Sequence, residues 1–377
     1  MKKIFTILLS LSLVFVSAQQ LAWVGGDKKF GFIDTSGKVV IPLQYKNVVE
    51  FSDGLALVEV KGKWGFIDPT GKMIIEPQFK HAKSFNNGVA IVEKNNEWIY
   101  IDKSGNEINH FPPTDKKYDF EDGIAFFQQN KLIGIIDNKG NIILQPTYKE
   151  IKSFKNGYAK FFENEKYGIL TNDGKVLIPA EYDAIDVSDN KVLIGRKGET
   201  LGIIGIDNSF KIVEGVSKIW PFFGEDASLT YARKDKKIGF IDTKGNWVIE
   251  PKFDKARAFN QGLAPFNIEG KWGFINPKGE IVIPAQYKDA EVFSNDGLAP
   301  VILDKSYGFI NKTGDLVIKD EYGIQYGTLS LFKGGDEKGF INGFARVYFK
   351  KKWGFIDTSG QLIGDWYEQV GLFKSIK

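Results

Sequence analysis

The chain has no cysteine, only two histidines and only two methionines among its 377 residues. Without a thiol there can be no disulfide, no thiolate nucleophile and no cysteine metal ligand, and the lipid attachment of a bacterial lipoprotein is impossible. His81 and His110 stand in no metal-ligand spacing, which argues against a zinc site. A Ser-His-Asp triad would need one of them beside a special serine, and no Gly-x-Ser-x-Gly elbow occurs. Phosphate-loop and dinucleotide fingerprints are absent too, and Gly334-Gly335 lacks the following helix such sites require. Charge of one sign is also in short supply. Setting aside Lys2 and Lys3 leaves 50 − 2 = 48 basic against 47 acidic side chains. So balanced a chain offers no electrostatic case for nucleic acid or an anionic membrane. Beyond the first residues, no apolar run approaches the roughly 18 residues of a membrane span.

Residues 1–18 read as a secretory signal peptide. Lys2 and Lys3 form its basic start, Ile4 to Val16 its apolar stretch, and Val16-Ser17-Ala18 the small residues before a cut ahead of Gln19. The expected mature protein, residues 19–377, is exported, periplasmic or extracellular, and free of a transmembrane span.

What the chain has is repetition. Lys61-Gly-Lys-Trp64-Gly65-Phe66-Ile67-Asp68-Pro-Thr-Gly71 recurs in variant form from end to end. The residue after a large apolar one falls at Gly31, Gly65, Ile99, Gly134, Gly168, Gly202, Gly239, Gly273, Gly308 and Gly354, mostly 34 or 35 residues apart. Such a period marks units that bury their faces against one another. In strand geometry Trp64 and Phe66 share one face, with Gly65 and Ile67 on the other. Gly weakens a strand unless close approach needs the space, so its recurrence reads as room for a neighbouring unit's backbone or ring.

Asp-x-x-Gly follows in six copies, among them Asp34 to Gly37 and Asp357 to Gly360, with Asn in its place at Asn276 and Asn311. This is a type I turn closing a hairpin. Asp34-Thr-Ser-Gly37 has the look of an aspartic-protease motif, but exchange with Asn identifies a turn. A short apolar strand ending near Pro and an aromatic comes next, as in Val39-Val-Ile-Pro42-Leu-Gln-Tyr45. Then comes Phe-x-x-Gly, as at Phe51 to Gly54, and a further alternating strand. Each unit thus holds three strands and room for a fourth. The 31 Phe, 14 Tyr and 8 Trp supply ample core, although 34 residues are too few to fold alone.

The third, fifth and sixth copies depart from the pattern. The third carries Ile99 and Tyr100 and runs into Pro112-Pro113. An insertion near 319–343 lengthens the last interval, either as a binding loop, a surface excursion or a further hairpin around Gly339-Phe-Ile-Asn342.

These residues resemble the bacterial WG-repeat family, most specifically at Lys63–Gly71, Lys271–Gly279 and Lys352–Gly360, over about residues 21–377. The resemblance implies an exported or cell-envelope repeat protein with no established common activity and no catalytic residues to carry over. The expected fold is all-β: tandem ~34-residue antiparallel β-meander repeats in a curved or superhelical array, with a closed β-propeller-like toroid as the alternative. The expected function is non-catalytic binding or scaffolding of a protein partner in the cell envelope, with no cofactor, no metal and no catalytic residues. The ligand-binding residues are not readable. The alternative is binding of an envelope polysaccharide through exposed aromatics such as Trp23, Trp247 or Trp366.

Overall fold

The computed structural model describes residues 19–224, 227–324 and 339–376; the expected signal peptide lies outside them. All described elements are strands, arranged as ten small antiparallel sheets. The second unit serves as the type. A two-residue lead strand, Asn47–Val48, pairs with Ala56–Val60, which pairs with Lys63–Ile67, which pairs with Met73–Phe79. The lead strand occupies the segment between Tyr45 and Phe51 where the sequence leaves room for a fourth.

Local chemistry accounts for each connection. Lys61 and Gly62, at φ 50° and 78°, form a two-residue hairpin in the left-handed region, the twist that matches paired strands. In other units the same turn is Asn95-Asn96, Asn130-Lys131 or Lys350-Lys351. The Asp68 turn closes with the Gly71 N–H donating to the Asp68 carbonyl at 2.9 Å. The fourth strand then bulges: Trp64 faces Phe79 and Phe66 faces Ile75, so the fourth strand has extra residues around Pro77, which has no N–H to offer a ladder.

That bulge explains the recurring glycine. A Cβ on Gly65 would lie 2.6 Å from the Ile75 carbonyl oxygen and 2.8 Å from the Pro77 nitrogen. The same approach recurs at Gly134, Gly168 and Gly273, each 2.5 Å from a fourth-strand carbonyl. The space is therefore taken by the unit's own fourth strand rather than by the next unit. Ile99 is the informative exception. The sheet of the third unit has only three strands, His81–Ala82, Ala90–Lys94 and Glu97–Ile101, and its fourth strand is reduced to a bridge between Ile101 and Glu107. A side chain fits where no bulged strand crosses.

Between units, a face of small residues receives a face of large ones. Leu57, Phe66, Ile75 and Phe79 pack against Ala90, Val92 and Ile101 of the following unit. At several junctions the Phe at the start of the wide turn meets the third-strand Phe of the preceding unit, with centroids 4.9 Å apart for Phe32 and Phe51, 4.7 Å for Phe66 and Phe85, and 5.0 Å for Phe274 and Phe293. Each such pair adds about 0.5–1.5 kcal/mol beyond area burial.

The array closes. The strand Gln20–Gly26 pairs with both Gln369–Val370 and Lys374–Ser375, so the end of the chain supplies the lead strand of the first sheet. Ala22, Val24 and Ile33 share a core cluster with Phe355, Val370 and Phe373. The protein is a ten-bladed β-propeller, the closed alternative to an open superhelix. Closure at so short a period is possible because most lead strands are only two residues long and a single residue, such as Lys80, links one unit to the next at most junctions. It also removes the two bare end faces that an open stack must cap. Of the segment near 319–343, residues 325–338 lie outside the described ones, while Phe340–Ile341 form the lead strand of the tenth sheet.

Candidate functional surface

Strand direction alternates through each unit, which sorts the connections onto two faces of the ring. One face carries the Phe-x-x-Gly and Asp-x-x-Gly turns; the other carries the tight two-residue hairpins and the links between units. On the wide-turn face the carboxylates are engaged in holding turns. Asp68 Oδ1 accepts from the Thr70 hydroxyl at 2.6 Å and from the Thr70 and Lys72 N–H groups at 2.9 and 3.0 Å. The Thr70 hydroxyl, followed by these backbone donors, holds the Asp68 carboxyl below the usual range despite some opposing burial. Asp137 is lowered in the same way, chiefly by the Asn141 amide. Neighbouring turns are joined around the ring: Asn87 Oδ1 accepts from the Gly123 N–H at 3.1 Å, Asn260 donates to the Phe293 carbonyl at 2.7 Å, and Asp296 accepts from the Gly343 N–H at 2.9 Å.

The two histidines are placed in different settings. His81 stacks on Trp98 at 6.2 Å and stands 3.7 Å from Glu93, whereas His110 lies against Phe111 at 4.5 Å. Among the described residues no group of three or more His, Asp or Glu side chains forms a metal-holding cluster. Trp23, Trp247 and Trp366 are each half-buried. Trp23 meets Phe30 edge-on at 5.8 Å, Trp366 leans on Phe349 at 5.5 Å, and Trp247 packs against the cluster of Ile203, Val213 and Ile241. Trp98, a register-position residue, is more open than these at 43% exposure. Its sheet lacks the fourth strand that shields Trp64. Tyr100 replaces the usual Phe for a local reason: its hydroxyl donates to the Tyr118 carbonyl at 3.1 Å, and burial pushes the phenol up to about 12.

Hollows are shallow and lined by turns. The largest described, about 540 Å³, lies at the seam between Gln19, Gln20, Asp34, Thr35, Ser36, Asn342 and Phe344. A smaller one of about 170 Å³ sits beside Ile99, Tyr100 and Pro112-Pro113, where the third unit loses its fourth strand.

The feature that sequence reasoning missed is a repeated apolar edge. Val39, Ile142, Val176, Val248, Leu316 and Leu362 are all exposed, and Ile281 reaches 60%. All stand on fourth strands, each of which is the unpaired edge of its sheet. Repetition places them in a belt around the ring. The signal was available at the start of the fourth strands, where one or two apolar residues precede the Ile that enters the core, as Val39 and Val40 precede Ile41 and Ile281 and Val282 precede Ile283.

The model of the WG containing repeat matches residues 30–64, 64–98, 133–167, 167–194, 238–272 and 272–305, more than half of the chain. The chain belongs to the WG containing repeat family. The unmatched stretches of this WG-repeat protein include residues 99–132, after Trp98, and residues 195–237, which run through the sixth unit, where the pattern departs most. No curated protein matches the sequence. Among solved structures, that of a eukaryotic initiation factor is similar, at 8% identity and a TM-score of 0.51, covering 95% of this chain and 98% of that one. This likeness concerns the fold alone. Hsv2p of Kluyveromyces lactis (10% identity, TM-score 0.30, 61% and 92% covered) and the dihydro-heme d1 dehydrogenase NirN (12%, 0.36, 95% and 75%) are looser matches and inform neither fold nor function. No described helix of the WG-repeat ring is long and apolar enough to cross a membrane.

Proposed function

We propose that this WG-repeat propeller is an exported, non-catalytic scaffold that holds a protein partner in the cell envelope. The observation that carries the reading is the belt of exposed aliphatic side chains on unpaired fourth-strand edges. Exposed aliphatic side chains repeated from blade to blade are of the kind that partner surfaces cover, and a free strand edge offers main-chain groups to an added strand. The turn carboxylates support a structural rather than catalytic role, because their lone pairs are engaged by neighbouring donors. The pattern of residues 1–18 supports export.

Binding of a polysaccharide is the second reading. The half-burial of Trp23, Trp247 and Trp366 leaves each with one ring face or edge engaged by protein. The test sets wild type beside Ile281→Lys/Val248→Lys in affinity capture from an envelope extract, with a polysaccharide array in parallel. A discrete protein retained by wild type and lost by the belt variant is the expected result. Glycan binding unaffected by the belt variant would overturn it, as would turnover of a substrate by the purified ring. Export is checked by recovering the chain, cut ahead of Gln19, from the envelope fraction.

A further inference from the structure

Net charge is nearly balanced in the whole chain, yet the fold distributes it unevenly over the tight-turn face. Three consecutive hairpins meet around the closure seam, those of the tenth, first and second units. They present Lys350, Lys351 and Lys352, then Lys28 and Lys29, then Lys61 and Lys63, all exposed. Asp27 and Glu368 stand against them, and Glu59 is already engaged by Lys46 at 2.9 Å. Among the described residues none of these seven lysines joins an ion pair. In a ring of ten, the fifth, sixth and seventh units stand opposite. In the fifth and sixth, Lys166 is held by Asp183 at 2.5 Å and Lys197 by Glu181 at 3.1 Å, which leaves Glu163, Glu165 and Glu199 against Arg196; in the seventh, Lys237 is held by Asp254 at 2.6 Å and Asp235 stands between Lys234 and Lys236. The tight-turn face is thus basic at the seam and, across the ring, acidic at the fifth and sixth hairpins.

We infer that the lysine sector at the seam is a docking surface for an acidic segment of a protein partner. The inference rests on the reading of the ring as a partner-binding scaffold and adds where one contact falls and what chemistry it takes. Exposed charges on adjacent turns reinforce one another within the screening length, about 8–10 Å at physiological salt, while the opposite rim lies beyond it. A compact acidic segment therefore meets the sector alone and gains complementary potential, mainly as specificity and association rate. A flat anionic bilayer would press on the whole face and bring Glu163, Glu165 and Glu199 against like charge.

The test titrates the full chain with poly-L-glutamate, and separately with phosphatidylglycerol vesicles, at low and raised salt. One variant is Lys28→Glu/Lys350→Glu/Lys351→Glu. The control, on the same face but away from the seam, is Lys131→Glu/Lys236→Glu/Lys271→Glu. Glutamate is tolerated in these turns: Glu165, at φ 62°, already occupies the second position of one and Glu269, at φ 50°, the first position of another. Unchanged circular dichroism and thermal unfolding confirm that each variant folds. The expected result is salt-sensitive binding of polyglutamate by wild type, weakened at least about tenfold by the seam variant and less than about threefold by the control. Absence of polyglutamate binding, equal loss from both variants, or tighter binding of vesicles than of polyglutamate would overturn the inference. Any of these would leave the belt-dependent capture of a protein standing on its own result, so the two readings fail separately.

Discussion

Replacing Gly65 by alanine tests the account of the repeat most directly. The added methyl would stand 2.6 Å from the Ile75 carbonyl oxygen and 3.0 Å from the Pro77 Cα, both backbone atoms that no rotamer change can move. A relaxed carbon–oxygen contact is about 3.3–3.6 Å, so the fourth strand must retreat by roughly 0.7 Å or more. That displacement strains the bulge and loosens the ladder to Phe66, at a cost of about 2–3 kcal/mol. Gly54→Ala is the matched control. Gly54 sits at φ 83° with nothing within 4 Å of an added Cβ, so it loses only about 1 kcal/mol through its backbone conformation. In the third unit, where the bulge is missing, Ile99→Gly gains nothing and costs about 1–2 kcal/mol from lost burial and added chain entropy. Denaturant titration of the three variants decides the matter. A Gly65→Ala protein within about 0.5 kcal/mol of wild type, or one no worse than Gly54→Ala, would refute the reasoning.

Phe373→Ala removes a ring that lies 4.8 Å from Phe344 and 4.6 Å from Phe355 at the closure seam. It should cost about 3–4 kcal/mol and expose the seam to limited proteolysis before any other junction. Arg257→Met leaves Asp289 and the buried Glu291, now 3.0 and 3.2 Å from the guanidinium, facing each other without it. Because Arg257 is a quarter exposed, a loss of about 2 kcal/mol is expected, discounted from the 3–5 typical of a fully buried pair, readable by thermal unfolding. The turn carboxylates set the acid limit. Asp68, Asp137 and Asp357 have folded pKa values below their unfolded ones. Their contribution is fully present above the ordinary aspartate value of about 3.9 and is lost as pH falls through the depressed range below it. Stability followed by fluorescence should therefore be flat down to about pH 4.5 and fall steeply below pH 4, and Asp68→Asn should shallow that fall.

The period, the Asp-x-x-Gly turns and the three main strands were legible because each depends on local chemistry that recurs. Asp34, Asp68 and Asp102 announce turns without any knowledge of tertiary structure. Closure was not legible. It depends on the angle between successive sheets, which is set by Ala90 and Val92 receiving Phe66 and Phe79, and on two short strands after Tyr367 reaching back to Gln20–Gly26. The Gly65 space was recognised as a close approach but assigned to the wrong neighbour, since a bulge leaves no mark except Pro77. Of the candidate surfaces, the tryptophans were visible individually, but their half-burial reflects partners such as Phe30 and Phe349. The fourth-strand belt and the lysine sector come from the ring itself, which brings together turns more than three hundred residues apart.

Closure by Gln20–Gly26 and the strands after Tyr367 also restricts how such a gene can evolve. In an open stack, tandem duplication appends another module at little penalty, and lineages drift in length. Here each extra module would have to be accommodated by rotating all the others, and each deletion would tear the join. Copy number should consequently be inherited as a discrete property, with variation confined to substitutions and to the lengths of connections between strands.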